Sequence, residues 1–415
     1  MATNSARSTR FPEVDRTVTI EQLASRAEIA TDVLAQIRDS VLEPYPRKQA
    51  PTFTSAQVAA LCGLDKQKFA YLQSKLALPA GTSTGNGRSK RFTLEETQTC
   101  IQKTAGAVRY QRPASAPARV LTVANFKGGV AKTTTTVSVA QALTLLGRRV
   151  LLIDCDPQGT STEMLGWSPD TEISEESTLL PLVYGTYAFP NEAGEAGAEV
   201  AVTSLEYAVR STYWSNLDLV PATISLFDAE FEIPAKIATE QNADISNIIN
   251  RGLAALRTQY DVIIIDTPPA LSYLTINALM AADGILMPCP PEGLDFASST
   301  QFWNLFVDVA SHLPGEGKNK RYDFVNVVMT KVKSDDISSA VGTWLQKAYG
   351  DMVLPIQIPD SVVPKGASAQ MSTVYDLSKA DGSQAAYQRF KEPMDQLAAY
   401  LDGQFVRAWQ KLTEA

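Results

Sequence analysis

The stretch VANFKGGVAKTTTTVSVAQ, residues 123–141, runs from an apolar segment through two glycines bracketed by lysines into four threonines that open a helix-like pattern. A strand that ends in a glycine loop and feeds a helix gathers free backbone N–H groups and the positive end of the helix dipole at one point, the arrangement that receives a phosphate. Lys132 is then placed to neutralise β- and γ-phosphates, and the Thr133 hydroxyl to ligate Mg²⁺. The usual GxxxxGK[ST] spacing is not met: counting back from Lys132, Phe126 and Ala131 stand where the two glycines belong. What remains is KGGVAKT, whose first lysine, Lys127, needs an explanation of its own.

Outward from this stretch, apolar runs alternate with helical stretches: VLTVANF (120–126), VLLIDCD (150–156), LDLVPA (217–222), DVIIIDTPP (261–269), GILMPCP (284–290), FVNVVMT (324–330) and MVLPIQI (352–358). Such alternation predicts an α/β fold, a doubly wound and mostly parallel sheet of the P-loop NTPase type with helices on both faces. No lysine or arginine occurs between Arg149 and Arg210, and the Gly/Ala/Glu tract at 191–199 reads as a mobile surface loop.

The region before the sheet has a different texture. Steps of four and three separate Leu23, Ala27, Ala30, Leu34, Ile37 and Val41, which predicts a helix over 20–42 whose apolar seam packs on its own domain or on a second copy. EPYPRKQAP (43–51) ends it and reads as a linker. In residues 53–98, Thr54 or Ser55 caps a short helix, Gly63 makes a turn, and Asp65 caps a second helix with Phe69, Leu72 and Leu76 on one face. Asn86-Gly87 signals a hairpin tip beside Arg88, Lys90 and Arg91. Together these predict a winged helix-turn-helix in which Lys66, Gln67 and Lys68 approach base edges or phosphates while Arg88, Lys90 and Arg91 lie along the DNA backbone; a structural helical domain with a basic loop is the alternative. QRPASAPARV (111–120) is a second linker.

Composition supports a basic front on an acidic chain. Residues 1–112 carry 16 Lys/Arg against 10 Asp/Glu, a net +6, while the whole chain is −8. A local anion-binding surface is the expectation. The four cysteines, Cys62, Cys100, Cys155 and Cys289, lack CxxC spacing and His312 is the single histidine, which argues against metal–thiolate and histidine-based chemistry. No apolar stretch approaches the roughly 20 residues that span a bilayer, and the N-terminus lacks a secretory apolar segment, so the cytoplasm is the expected compartment.

The loop resembles that of the deviant Walker ATPases, specifically the ParA type that partitions plasmids and chromosomes, whose pattern is KGGxxK[ST] with glycine usual at the position of Ala131; the added methyl is read as a minor departure. RRVLLIDCDPQGTSTEMLG (148–166), YDVIIIDTPPALSYLTINALMAADGILMPCPPEGLDF (260–296) and VLPIQIPDSVVPKGAS (353–368) extend the resemblance over nearly all of 119–400. It implies a weak Mg-dependent ATPase that cycles between ATP and ADP. Nucleotide would contact Lys127, Gly128, Gly129, Val130, Ala131, Lys132, Thr133 and Thr134, with Pro359 and Asp360 near the base. Thr133, Asp154 and Asp266 would serve Mg²⁺. Asp156 would orient the attacking water, and Lys127 would reach the phosphates of the partner subunit across a homodimer, so that Lys127, Lys132 and Asp156 carry catalysis.

The large ParA members have a dimerising helix and a winged helix-turn-helix before the ATPase. The implied domains are therefore 1–45, a helix able to dimerise; 46–112, binding DNA; and 113–415, the ATPase. Implied partners are operator DNA, bound as an autorepressor, nucleoid DNA bound without sequence preference, and a ParB-type centromere-binding protein that stimulates hydrolysis, with a nucleoid-associated location and no membrane. Lys331, Lys333 and Lys365 are candidates for the non-specific DNA contacts, or members of a solvated face. Two alternatives stand beside this reading. One is a MinD-like membrane switch, for which YLDGQFVRAWQKLTEA (400–415) offers Phe405, Trp409 and Leu412 on one side. The other is a transcription regulator with ATP as a ligand only.

Overall fold

A computed structural model of the chain describes residues 18–42, 48–84, 89–105, 110–191, 194–239, 245–313, 319–361, 371–377 and 384–414. Asn86, Gly87, Arg88 and Lys365 lie outside these residues. Two compact units divide at Lys48/Gln49. Among its described residues the first holds one helix, α1 (Ile20–Leu42). Thr19 and Gln22 cap it reciprocally, the Thr19 amide donating to Gln22 Oε1 at 3.0 Å and the Gln22 amide to Thr19 Oγ1 at 3.3 Å.

The second unit begins with β1 (Phe53–Thr54), α2 (Ser55–Leu61), α3 (Lys66–Lys75), β2 (Thr82–Thr84), β3 (Ser89–Phe92) and α4 (Leu94–Ala105). Polar caps set the helix starts: Thr54 and Gln57 form a capping box before α2, and Asp65 accepts from the Lys68 amide at 2.8 Å before α3. Gly63, at φ +68°, turns the chain between them. The strands make an antiparallel sheet in the order β1-β3-β2. Val58, Cys62, Phe69, Leu78, Phe92, Cys100 and Ile101 bury a small core. From α4, the buried Gln98 donates to the Ser215 carbonyl at 2.7 Å and accepts from Ser215 Oγ and Asn216 Nδ2, tying α4 to the turn at 215–216.

The rest is a wound sheet. Its elements are β4 (Arg119–Val123), α5 (Lys132–Leu145), β5 (Val150–Asp154), α6 (Thr160–Met164), α7 (Leu180–Tyr184), β6 (Thr186–Tyr187), β7 (Val200–Ala201), β8 (Arg210–Ser211), β9 (Leu217–Val220), α8 (Ala229–Thr239), α9 (Ile248–Gly252), α10 (Leu256–Gln259) and β10 (Val262–Asp266). Then come α11 (Tyr273–Ala281), β11 (Gly284–Cys289), α12 (Gly293–His312), β12 (Phe324–Val332), α13 (Asp336–Tyr349), β13 (Val353–Pro359) and α14 (Gln384–Glu414). Strand order is β13-β12-β11-β4-β10-β5-β9-β8, parallel except for β8. All seven apolar runs are parallel strands of this sheet.

Successive strand residues face opposite sides, so each central strand feeds two cores. Val150 and Leu152 pack with α5 and α14, whereas Leu151 and Ile153 pack with α7, α9 and α11. That double burial is why these strands are uniformly apolar rather than alternating. The described residues of the tract at 191–199 are exposed and connect β6 to β7, which pair antiparallel, with Pro190 bridging Ala196.

The C-terminal helix bears on the membrane alternative: of the face formed by Phe405, Trp409 and Leu412, Leu412 is exposed at 48% and the other two join the core. Phe405 and Trp409 are buried at 1% and 0% exposure, packed into the core on the sheet. Arg148 binds Asp402 at 2.6 Å and stacks 5.1 Å from the Trp409 ring, and Trp409 donates to the Pro117 carbonyl. An amphipathic pattern suits a protein core as well as a lipid surface, and here the sheet takes the apolar face. Among the described residues no helix is long and apolar enough to cross a membrane.

Candidate nucleotide site

Parallel strands deliver their C-terminal ends to one edge of the sheet, where ligands of wound α/β folds bind. There β4 ends at Val123 and the chain enters the glycine loop. The buried Asn125 sets the first turn: its side chain donates to the Pro288 carbonyl at 2.7 Å and accepts from the Lys127 amide at 3.0 Å. Gly129 has φ +75° and Ala131 φ +69°. The expectation that Ala131 adds only a methyl is corrected here. An alanine held in left-handed backbone costs about 1–2 kcal/mol, which glycine would not. Among the described residues, no hydrogen bond occupies the amides of residues 131–134. These free donors converge where α5 begins.

Lys132 opens α5 and is 6% exposed, its Nζ 3.0 Å from the Lys127 carbonyl. Burial pulls its pKa below the ordinary lysine value, against the opposing pull of Asp266 and Asp156. Asp154 and Asp266 are register partners at the ends of adjacent strands, both fully buried. Asp154 accepts from the Thr162 amide at 2.9 Å, the Thr162 hydroxyl at 2.8 Å and the Asp156 amide at 3.1 Å. Asp266 accepts from the hydroxyls of Thr136 at 3.0 Å and Ser161 at 2.8 Å. Burial, and then its neighbour Asp266, pushes Asp154 up to about 8; burial also raises Asp266. Two carboxylates side by side with one buried lysine are short of positive charge. With the Thr133 hydroxyl they offer the hard oxygen donors that Mg²⁺ takes from one or two carboxylates plus phosphates. No cluster of three or more His, Cys, Asp or Glu side chains suited to a metal occurs among the described residues, so such an ion would depend on the phosphates.

A cavity of about 540 Å³ opens over this loop. Gly128, Gly129, Ala131, Lys132, Thr133, Thr134 and Asp156 line it, together with Pro359 and Asp360. Phe390 and Met394 of α14 also line it, as do Thr330 and Lys331 of β12. Sequence reasoning missed Phe390 and Met394, because core-type side chains on a distant helix carry no signal of a site. Val130 turns away and gives its carbonyl to Thr330 Oγ1 at 2.9 Å.

Lys127 does not face the cavity. Its Nζ lies 2.8 Å from Oδ2 of Asp295, a 4% exposed carboxylate in the first turn of α12. Of the lysines that are candidates for non-specific DNA or a solvated face, Lys331 is exposed and lines the cavity, and Lys333 is exposed and pairs with Glu292 at 2.8 Å. Lys66, Gln67 and Lys68 on α3, and Lys90 and Arg91 on β3, are all exposed.

A glycine loop between strand and helix, a buried lysine at the helix start and two strand-end aspartates define a P-loop nucleotide-binding protein with a deviant Walker loop. The AAA-domain family profile matches residues 118–316. The chromosome partitioning protein ParA of Caulobacter vibrioides (strain NA1000 / CB15N) is 34% identical over 274 residues, 65% of this chain and 91% of that one. Protein SopA of Escherichia coli (strain K12) is 29% identical over 352 residues, 83% and 84% of the two chains. Among solved structures, a partition protein superposes with TM-score 0.63 at 19% identity over 93% of this chain and 99% of its own, a likeness of fold. Cobyrinic acid a,c-diamide synthase from Mycobacterium smegmatis, solved with an ATP analogue and magnesium, gives TM-score 0.50 at 29% identity over 68% and 94%. The chain belongs to the family of ParA-type partition ATPases.

Proposed function

We propose that this protein is a Mg-dependent ATPase switch for DNA partition. The observation that carries the reading is the run of amides at the start of α5, residues 131–134, without hydrogen-bond partners among the described residues, set beside Lys132 and the Asp154–Asp266 pair. Such a row receives the phosphates, and Lys132, desolvated at its base, neutralises them. Mg²⁺, held by Thr133, Asp154 and Asp266 together with the phosphates, would supply charge neutralisation for the transferring group. Asp156 lines the cavity and, among the described residues, its carboxylate accepts only from the nearby Gln158 amide, which leaves it able to accept from and align a water. Pro359 and Asp360 bound the base side. With no histidine among the described residues that line the cavity, hydrolysis rests on positioning and charge, so turnover is slow, and slow turnover suits a switch.

Lys127 acts in trans: on dimerisation it leaves Asp295 for the phosphates of the partner subunit. Residues 53–98 bind DNA as a winged helix-turn-helix, supported by the exposed α3 and the basic β3. Operator binding as an autorepressor, non-specific nucleoid binding, the dimer built through α1 and stimulation by a ParB-type partner follow the family reading and give a cytoplasmic, nucleoid-associated protein. The buried Phe405 and Trp409 weigh against a membrane switch. The test is ATP hydrolysis by wild type, Lys132→Ala and Asp156→Ala, alone and with DNA plus a ParB-type protein. The expected result is a low basal rate raised by both additions, loss of nucleotide binding in Lys132→Ala, and binding without turnover in Asp156→Ala. Normal turnover in either variant would refute the site assignment.

A further inference from the structure

Two consecutive residues of β12 grip two consecutive carbonyls of the glycine loop. Thr330 Oγ1 donates to the Val130 carbonyl at 2.9 Å, and Lys331 Nζ donates to the Gly129 carbonyl. A peptide unit is planar and trans, so holding its carbonyl also fixes the direction of its N–H. Tethering Gly129 O orients the Val130 amide, and tethering Val130 O orients the Ala131 amide. The Val130 amide closes the turn at 128–129, and the Ala131 amide has no hydrogen-bond partner among the described residues. The loop is intrinsically free to rotate here, since Gly129 and Gly128 lack a Cβ.

The protein accepts local distortion to bring Lys331 into reach. Lys331 itself is held at φ +52°, a left-handed conformation unusual for a lysine, and the β12–β13 register shifts between Met329 and Val332 around it. Backbone strain of this kind persists where the surrounding structure enforces it and concentrates at functional sites. The side chain is exposed and lines the cavity, so its engagement with the loop is not a consequence of core packing. We infer that Lys331 is a positioning residue of the nucleotide site, which with Thr330 presets the phosphate-receiving amides before a phosphate arrives.

This inference rests on the nucleotide reading of the site and predicts a defect confined to phosphate recognition. Binding of ATP, ADP and inorganic tripolyphosphate is measured by calorimetry for wild type, Lys331→Met and Lys331→Arg. Lys331→Met, which keeps the stem and removes the donor, should weaken all three ligands by about tenfold, the worth of a charge-assisted hydrogen bond. Lys331→Arg should restore affinity to within a few-fold, and the melting temperature without ligand should be the same for all three proteins, which a merely structural role would not give. Unchanged affinity in Lys331→Met overturns the inference, as does a loss for ATP and ADP that spares tripolyphosphate, which would assign Lys331 to the nucleoside. If wild type binds none of the three ligands, the nucleotide reading itself fails and this inference with it.

Discussion

Replacing Asp295 by alanine tests how Lys127 is governed. The bridge is 2.8 Å long, with Asp295 4% and Lys127 36% exposed. A hydrogen bond to a charged group is worth about 1.5–3 kcal/mol, and exposure of the lysine discounts this to about 1 kcal/mol. If Lys127 must leave Asp295 to cross a dimer, each protomer gives up one bridge on association. The substitution then removes about 2 kcal/mol from the cost of dimerisation, or roughly a thirtyfold tighter dimer. Folding should suffer little, because water solvates the half-exposed ammonium in place of the carboxylate. The assay is sedimentation equilibrium with a non-hydrolysable ATP analogue and Mg²⁺, comparing wild type, Asp295→Ala and Asp295→Ala with Lys127→Ala. The double variant should lose the gain. A dimerisation constant that is unchanged or weaker in Asp295→Ala, or one whose rise survives removal of Lys127, would refute the reasoning.

Three other outcomes are expected. Trp409→Ala removes a fully buried ring and should cost about 3–5 kcal/mol in denaturant unfolding, while wild type should not sediment with anionic vesicles; full stability of the variant would contradict the packing of α14. Burial pushes the Cys100 thiol up to about 12. The native state holds this thiol neutral, so the stability linked to it is present below the ordinary thiol value of 9.0 and is lost as pH rises from there toward about 12. Labelling at pH 8 should follow unfolding, and prompt labelling of Cys100 in the native protein would argue against its burial. Lys66→Ala with Lys90→Ala should weaken DNA binding measured by fluorescence anisotropy and flatten its salt dependence, with ATPase activity retained; unchanged affinity and slope would remove the exposed faces of α3 and β3 from the DNA interface.

Much of the sheet was legible because parallel strands buried on both faces must be apolar throughout, and seven such runs stand out between helical stretches. The phosphate loop was equally legible: KGGVAKT between a strand and a helix has few other uses. β8 was not visible, being two residues long and antiparallel at an edge. The meaning of Phe405 and Trp409 was open in the sequence, since their spacing states only that one helix face is apolar and not what covers it.

By itself the sequence determined the strands, the capped helix starts and the residue types gathered at the strand ends, because these follow from local periodicity and backbone chemistry. Only the tertiary structure decided that Lys127 rests on Asp295, that Lys331 grips the glycine loop, that Phe390 and Met394 wall the cavity from the far end of the chain, and that Ala131 adopts a left-handed backbone. Each of these depends on which distant segments the sheet order brings together, and no spacing along the chain encodes that.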